Sequence, residues 1–210
     1  MDKTYSQFAG RSVERLNALS DGLFAIAMTL IVLDIRIPPS GAIHSETQLL
    51  GALAALAPQI ATYLMSFLTL GIFWVGQQAQ LGHFKQADRN LTWIQLAFLA
   101  AVAALPFTTH LLSEFVTFRT AILVYWGNFS MLGLLLLVSW TYAEHAGLVA
   151  DDVPPDLGST IVRRIVIAQA LYAVGTALCV INTYVSMAVI VALQLFFAIG
   201  PRWVIMRVKG

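Results

Sequence analysis

Hydrophobic residues along the chain form six long blocks, separated by short stretches rich in polar residues, glycine and proline. The blocks run approximately over residues 19–37, 53–76, 91–112, 119–142, 161–181 and 184–206. Each is close to the ~20 residues that an α-helix needs to cross a bilayer. A membrane β-strand would alternate in polarity over ~10 residues, and runs such as LGLLLLVSW do not alternate. The pattern predicts an all-α membrane protein with six transmembrane helices in one domain, residues 1–210.

Composition supports this interpretation. Hydrophobic residues make up 59% of the chain and charged residues only 11%, whereas about a quarter of the residues in soluble domains are charged. The first block contains two acidic residues and lacks a small-residue cleavage site, so we expect it to remain in the mature protein as a span.

Lysine and arginine residues fall mainly on one side of the predicted spans. Ten of the 12 lie on that side, namely Lys3, Arg11, Arg15, Lys85, Arg89, Arg163, Arg164, Arg202, Arg207 and Lys209. Arg36 and Arg119 lie on the other side. Because cytoplasmic loops retain positive charge, both termini are predicted to be cytoplasmic, which an even number of spans requires.

Common catalytic and metal-binding patterns are absent from the sequence. Cys179 lies within a span, and His44, His83, His110 and His145 are scattered without the spacing of a zinc site. There is no glycine-rich phosphate loop, GxSxG or HExxH motif. The net charge of +1 indicates no nucleic-acid surface. We therefore expect no bound metal, no cofactor and no enzymatic activity.

Two acidic residues, Asp21 and Asp34, flank the apolar part of the first block. An acid at the centre of a span costs on the order of 2.5–3.5 kcal/mol, and less near the interface. Ser20 or Asp21 could cap a helix, since a short polar side chain satisfies free N–H groups. Asp34 lies beside Arg36, where it could reach the interface or line an outer vestibule.

A helical wheel at ~100° per residue places a narrow stripe of bulky aliphatic residues on the first helix. The stripe consists of Ile26, Leu30, Leu33 and Ile37. Thr29 flanks one edge and Asp34 the other, while Asp21 lies well away from it. Such stripes commonly face lipid or another helix, so periodicity alone does not make this one a pore.

The segment RLNALSDG resembles the RxxxFSDG motif of the endosomal and lysosomal transmembrane potassium channel family. Arg15, Ser20, Asp21 and Gly22 match the motif, and Leu19 stands where the family usually has phenylalanine. One six-helix set is predicted for the chain, which is similar to the bacterial branch of that family.

Further motifs extend the resemblance over residues 11–107. FWVGQQAQL, which contains Trp74, is similar to the FWxxHH-type end of the family's second helix, with Gln77 and Gln78 in place of the histidines. DRNLTWIQL and LPF are similar to the third helix, with Gln95 where asparagine is common. The later spans agree with the family only in number.

The resemblance implies a homotetrameric, potassium-preferring cation channel whose central pore is lined by the first helix of each subunit. It assigns the constriction to Ile26, with further aliphatic layers at Leu30 and Leu33, and selectivity to Thr29. Potassium would pass transiently near Ile26, Thr29 and Leu30 as the permeant ion. Asp34 would lie in the outer vestibule. A bacterial inner membrane is the implied location, with the bilayer and monovalent cations as partners.

No TVGYG carbonyl filter is present, so selectivity would have to come from side chains. Because Asp21 points away from the stripe, we interpret it as a structural lock, together with Arg15, Ser20, Gly22 and Trp74. Arg15 is not its same-face neighbour on a helix. The candidate partners of Asp21 are Trp74, Gln77, Gln78, His83, Arg89 and Asn90.

Two other functional classes are considered. A six-span secondary transporter could use Asp21 or Asp34 as a proton relay, but it would call for inverted repeats or broken helices that we do not see. An intramembrane enzyme could use the i, i+4 pair His110 and Glu114. Those two residues lie at the outer end of a span without a third partner, and we interpret them as interface residues.

Overall fold

The computed structural model describes the backbone of residues 3–199 and the side chains in that range except those of residues 3–12 and Ser40. Seven α-helices occur in this range: α1 (Lys3–Leu30), α2 (Glu46–Ala55), α3 (Ala57–Leu81), α4 (Arg89–Glu114), α5 (Arg119–His145), α6 (Pro155–Ala177) and α7 (Thr183–Ile199). Short 3₁₀ helices follow α1 and α6, and a third precedes α2. In the described range, extended pairing is limited to one bridge between Phe84 and Val149. The all-α prediction is confirmed.

Five helical segments in this range are long and apolar enough to cross a membrane: Val13–Asp34, Ala57–Leu81, Arg89–Glu114, Arg119–His145 and Pro155–Val180. The membrane-protein class is therefore confirmed. α7 is apolar but has only 17 described residues. Residues 200–206 of the sixth predicted span lie outside the described part of the chain, as do Arg202, Arg207 and Lys209, and the side chains of Lys3 and Arg11 are also not described.

The boundary between α2 and α3 differs from the sequence prediction. The predicted second span begins at approximately residue 53, inside α2, whereas α3 begins at Ala57. Pro58 lies in the first turn of α3, and its missing N–H cannot continue the hydrogen-bond ladder of the preceding helix. α2 itself begins at a cap, where the Ser45 side chain accepts a hydrogen bond from the Gln48 backbone N–H.

One face of α1 is buried against the rest of the bundle. The buried residues recur every three or four positions: Val13, Leu16, Ser20, Phe24, Ala27 and Ile31. This face contacts α3 and α4, and the rings of Phe24 and Phe98 lie 6.1 Å apart. α4 in turn packs extensively on α5. The core therefore fixes the rotation of α1, which decides which of its residues face outward.

Candidate functional site

Large aliphatic side chains line the surface of α1 that faces away from the core. Ile26 is 56% exposed, Leu30 45% and Leu33 71%, and Ile37 just beyond the helix is 70% exposed. A continuous apolar row of this kind marks a surface that lipid or another protein copy covers. The structure thus brings the three residues predicted for the constriction together on one outward surface.

Thr29 is exposed beside this row. Its Oγ1 donates a hydrogen bond to the Ile26 carbonyl oxygen at 2.8 Å. Because the hydroxyl proton is used within the helix, the remaining lone-pair capacity of Oγ1 is free to accept from water or to contact a cation. The dipole of Thr29 is therefore oriented by the backbone of α1 itself.

Gly22 is also exposed on α1. A Cβ built at this position would meet no atom within 4 Å. Packing inside the chain therefore does not require glycine here.

Asp21 joins α1 to α3. Its Oδ1 accepts hydrogen bonds from Trp74 Nε1 at 2.8 Å and from Gln78 Nε2 at 2.9 Å. Trp74 and Gln78 are four residues apart, so they lie on the same face of α3. Both were among the candidate partners from the sequence. Among the described residues, the carboxylate is held by two neutral donors and not by a cation.

Ser20 begins a buried chain of side-chain hydrogen bonds through four helices. Its hydroxyl donates to Gln77 Oε1. Gln77 Nε2 donates to Gln95 Oε1 at 2.8 Å, and Gln95 Nε2 donates to Ser139 Oγ at 2.8 Å. All four residues are buried. Each amide accepts from one neighbour and donates to the next, so the chain fixes the relative positions of α1, α3, α4 and α5.

The other predicted partners of Asp21 lie elsewhere. Arg15 is exposed and forms no ion pair within the described part of the chain. Asn90 Nδ2 donates to the Tyr142 hydroxyl at 3.1 Å, and His83 Nδ1 lies 2.5 Å from the Ala79 carbonyl oxygen. No contact between Arg89 and Asp21 occurs among the described hydrogen bonds.

The segment that follows α1 lies against α4 and α3. His110 Nδ1 lies 3.1 Å from Asp34 Oδ1, and the Arg36 backbone N–H donates to Gln59 Oε1 at 3.1 Å. The sequence placed Asp34 and His110 at the outer ends of their spans but did not connect them. Asp34 is half-buried at this contact, with 23% of its side chain exposed.

The structure also shows what sequence reasoning missed at the site. Ser139 ends the buried chain that begins at Ser20, and it was not singled out. The sequence shows Ser139 only as a single hydroxyl in an apolar span. This is weak evidence for a contact between helices, because such a hydroxyl often bonds its own helix. Among the described residues, no group of three or more His, Cys, Asp or Glu side chains could hold a metal ion.

Comparisons with known proteins identify relatives of the chain. Residues 15–106 match the family model described as endosomal/lysosomal potassium channel TMEM175. A potassium channel of Streptomyces collinus is 33% identical over 180 residues, 82% of each chain. A potassium channel of Chamaesiphon minutus is 30% identical over 189 residues, which is 88% of this chain and 93% of that protein.

A solved structure supports the same relationship. The crystal structure of a lysosomal potassium-selective channel TMEM175 homolog from Chamaesiphon minutus superposes with a TM-score of 0.78 and 28% sequence identity. The match covers 90% of this chain and 97% of that one. The similarity therefore extends through nearly the whole helical arrangement, beyond the region that the family model covers.

Proposed function

The chain belongs to the family of the potassium channel TMEM175, and from this premise we propose that it is a potassium-preferring cation channel with a hydrophobic side-chain constriction. The relatives are ion channels, not enzymes. The observation that carries the proposal is the outward aliphatic row on α1, held at a fixed rotation by Asp21 and Ser20. The channel uses no cofactor, and potassium is its permeant ion.

Four copies of the chain surround the pore in the proposed assembly, with α1 of each copy lining the axis. The exposure of Ile26, Leu30 and Leu33 in the single chain supports this arrangement. An apolar row of this kind has to be covered, either by lipid or by the same row of other copies around a common axis. Each subunit has six spans in this proposal, and the sixth contains α7. The channel is a multi-pass protein of the cell inner membrane, and the charge bias supports cytoplasmic termini.

Water is expelled from a narrow neck formed by four Ile26 side chains, so conduction stops when the neck is closed. A small dilation or rotation of α1 rewets it. Potassium sheds water at lower cost than sodium, so the neck and the neighbouring ring of Thr29 hydroxyls favour potassium modestly. Leu30 and Leu33 continue the apolar lining towards Asp34, whose charge raises the local cation concentration at the outer mouth.

Asp21 and Ser20 act as the lock that sets this geometry. Ser20 contacts Gln77 and Asp21 contacts Gln78, so adjacent residues on α1 meet adjacent residues on α3. A rotation of α1 by one residue, ~100°, would break both contacts and move the Asp21 carboxylate into the buried position of Ser20. The two contacts therefore support one rotational setting of the pore helix.

Flux into proteoliposomes tests the channel against the transporter alternative. For the unmodified protein we expect passive potassium movement down its gradient, faster than that of sodium, without a proton gradient or counter-ion. Empty liposomes provide the control. Potassium movement that occurs only with a coupled proton flux would contradict the proposal and return Asp21 or Asp34 to the role of a proton relay.

Thr29→Val tests the selectivity layer, since valine keeps the shape of threonine and removes its hydroxyl. We expect the potassium-to-sodium permeability ratio to fall by about two- to tenfold, which corresponds to ~0.4–1.4 kcal/mol for the lost dipole. Reversal potentials in mixed potassium and sodium measure this ratio. Thr141→Val is the matched control, because the Thr141 hydroxyl also bonds its own helix, at the Leu137 carbonyl, but lies on α5. An unchanged ratio in Thr29→Val would place selectivity elsewhere.

A further inference from the structure

An elongated cavity of about 540 Å³ lies between α3, α5, α6 and α7. On α3 its lining extends from Phe67 to Gln80, a distance of about 20 Å at 1.5 Å per residue. On α6 it extends from Ile161 to Tyr172. The cavity therefore runs along the helices, in the membrane-spanning part of the bundle, with a length suited to a hydrocarbon chain.

Most of the cavity wall is apolar. Val75 and Leu136 line it from α3 and α5, and Ala168 and Phe197 line it from α6 and α7. Gln169 contributes a polar group to the wall, and its side chain packs over Gly133 so closely that a Cβ on Gly133 would lie 1.7 Å from Gln169 Nε2. This lining suits an apolar ligand segment.

Gln80 is the last residue of α3 in the cavity lining, and Arg164 is near the start of the α6 part of the lining. Because α3 and α6 are separated by three helix reversals and run in opposite directions, these two polar side chains are expected at the same end of the cavity. Arg164 forms no ion pair among the described residues. Gln80 is only 2% exposed, and its carboxamide oxygen has no hydrogen-bond partner in the described part of the chain. This end of the cavity therefore offers a positive charge and a buried hydrogen-bond acceptor without a donor, next to the apolar part of the cavity.

We propose that this cavity binds an anionic phospholipid, with one acyl chain between α3 and α6 and the phosphate at Arg164. A cationic side chain at the end of an apolar slot matches the charge and the amphipathic shape of such a lipid. A headgroup that also carries hydroxyl groups, as in phosphatidylglycerol, supplies a donor for Gln80 Oε1. Lipid binding does not depend on ion conduction, so the two proposals fail separately.

Lipid in the cavity would reach the contact that fixes the pore helix. Trp74 lines the cavity and also donates its Nε1–H to Asp21. An acyl chain against the indole restricts the ring to the position in which it holds Asp21. The lipid therefore stabilises the arrangement of α1 on α3, and its removal loosens that arrangement.

Native mass spectrometry of the detergent-purified full chain tests the charge recognition, with dioleoyl phosphatidylglycerol and dioleoyl phosphatidylcholine as probes. We expect about fivefold greater retention of phosphatidylglycerol, the preference that one arginine near a membrane surface provides. Arg164→Gln should abolish this preference. Arg163→Gln is the matched control, because Arg163 lies on the same helix and does not line the cavity. Equal losses in the two variants would overturn the proposal.

A cavity-filling variant tests the location. Ala168→Phe should reduce phosphatidylglycerol retention, whereas Ala170→Phe, at an exposed position of α6 outside the cavity lining, should not. Unchanged retention in Ala168→Phe would exclude the cavity as the site. Loss of oligomeric assembly in that variant would mean that a second copy of the chain covers the cavity, which also overturns the proposal. If Ala168→Phe does not fold, as judged by its melting curve, Arg164→Gln decides.

Discussion

Ile26→Asn should raise the passive cation leak through the reconstituted channel by at least about tenfold, which corresponds to lowering the barrier by ~1.4 kcal/mol. The side chain is 56% exposed on the outward surface of α1 and makes no contribution to the buried core. Asparagine therefore replaces an apolar neck with groups that hydrogen-bond water, and the neck stays wet. Potassium flux into proteoliposomes, normalised to the amount of assembled protein, measures the change.

Ala25→Asn provides the control for this result. Ala25 precedes Ile26 and is also exposed, but it projects ~100° away around the helix. The same amide at this position should leave the leak near that of the parent. Unchanged flux in Ile26→Asn with normal assembly would remove Ile26 from the constriction, and an equal rise in both variants would indicate general disturbance of α1.

The membrane class and the outward row on α1 were accessible from the sequence because both follow from strong, local patterns. Long apolar blocks predict spans, and the spacing of Ile26, Leu30 and Leu33 places them on one side of any regular helix. The assignment of that side to a pore came from the resemblance to a family, since periodicity does not distinguish lipid from a pore axis. The roles of these three residues remain predictions.

The partner of Asp21 could not be chosen from the sequence. Six polar side chains shared the same end of the bundle, and selecting among them required the rotation of α3 relative to α1. That rotation depends on packing between distant parts of the chain, including the burial of Phe24 against α4. Once it is fixed, Gln77 faces inward to Ser20 and Gln78 faces Asp21.

Helix α2 could have been predicted from the sequence. A capping motif marks its start, but the apolar pattern of the neighbouring span was more prominent. The segment SETQ matches a capping box, and in the structure Ser45 caps the helix while Gln48 Oε1 accepts from the His44 backbone N–H at 2.7 Å. Leu50 and Leu53 are exposed in this short helix. Because the apolar block was delimited by its length alone, the predicted second span included the last residues of α2.

Asp21→Ala should weaken the folded assembly by about 1–3 kcal/mol, because it removes the acceptor of two hydrogen bonds and leaves their donors without it. Trp74 Nε1 and Gln78 Nε2 both bond the same oxygen, Oδ1. Asp21→Asn keeps one carbonyl oxygen that can still accept hydrogen bonds from Trp74 and Gln78, so the loss of stability should be smaller. Melting curves and size-exclusion profiles of the purified protein measure both effects.

If Asp21 is a structural lock, its contribution to stability should be coupled to that of its donor Trp74. An ion-binding role for Asp21 does not predict such coupling. Trp74→Phe removes the Nε1 donor and keeps an aromatic ring, so it should cost much less in the Asp21→Ala background than in the parent. Glu14→Ala, at an exposed acid of the same helix, should change stability by no more than about 0.5 kcal/mol. Additive losses from Asp21→Ala and Trp74→Phe would disprove the coupling. A stable assembly of Asp21→Ala with altered ion preference would instead assign Asp21 to the ion pathway, because a loss of packing is then excluded as the cause.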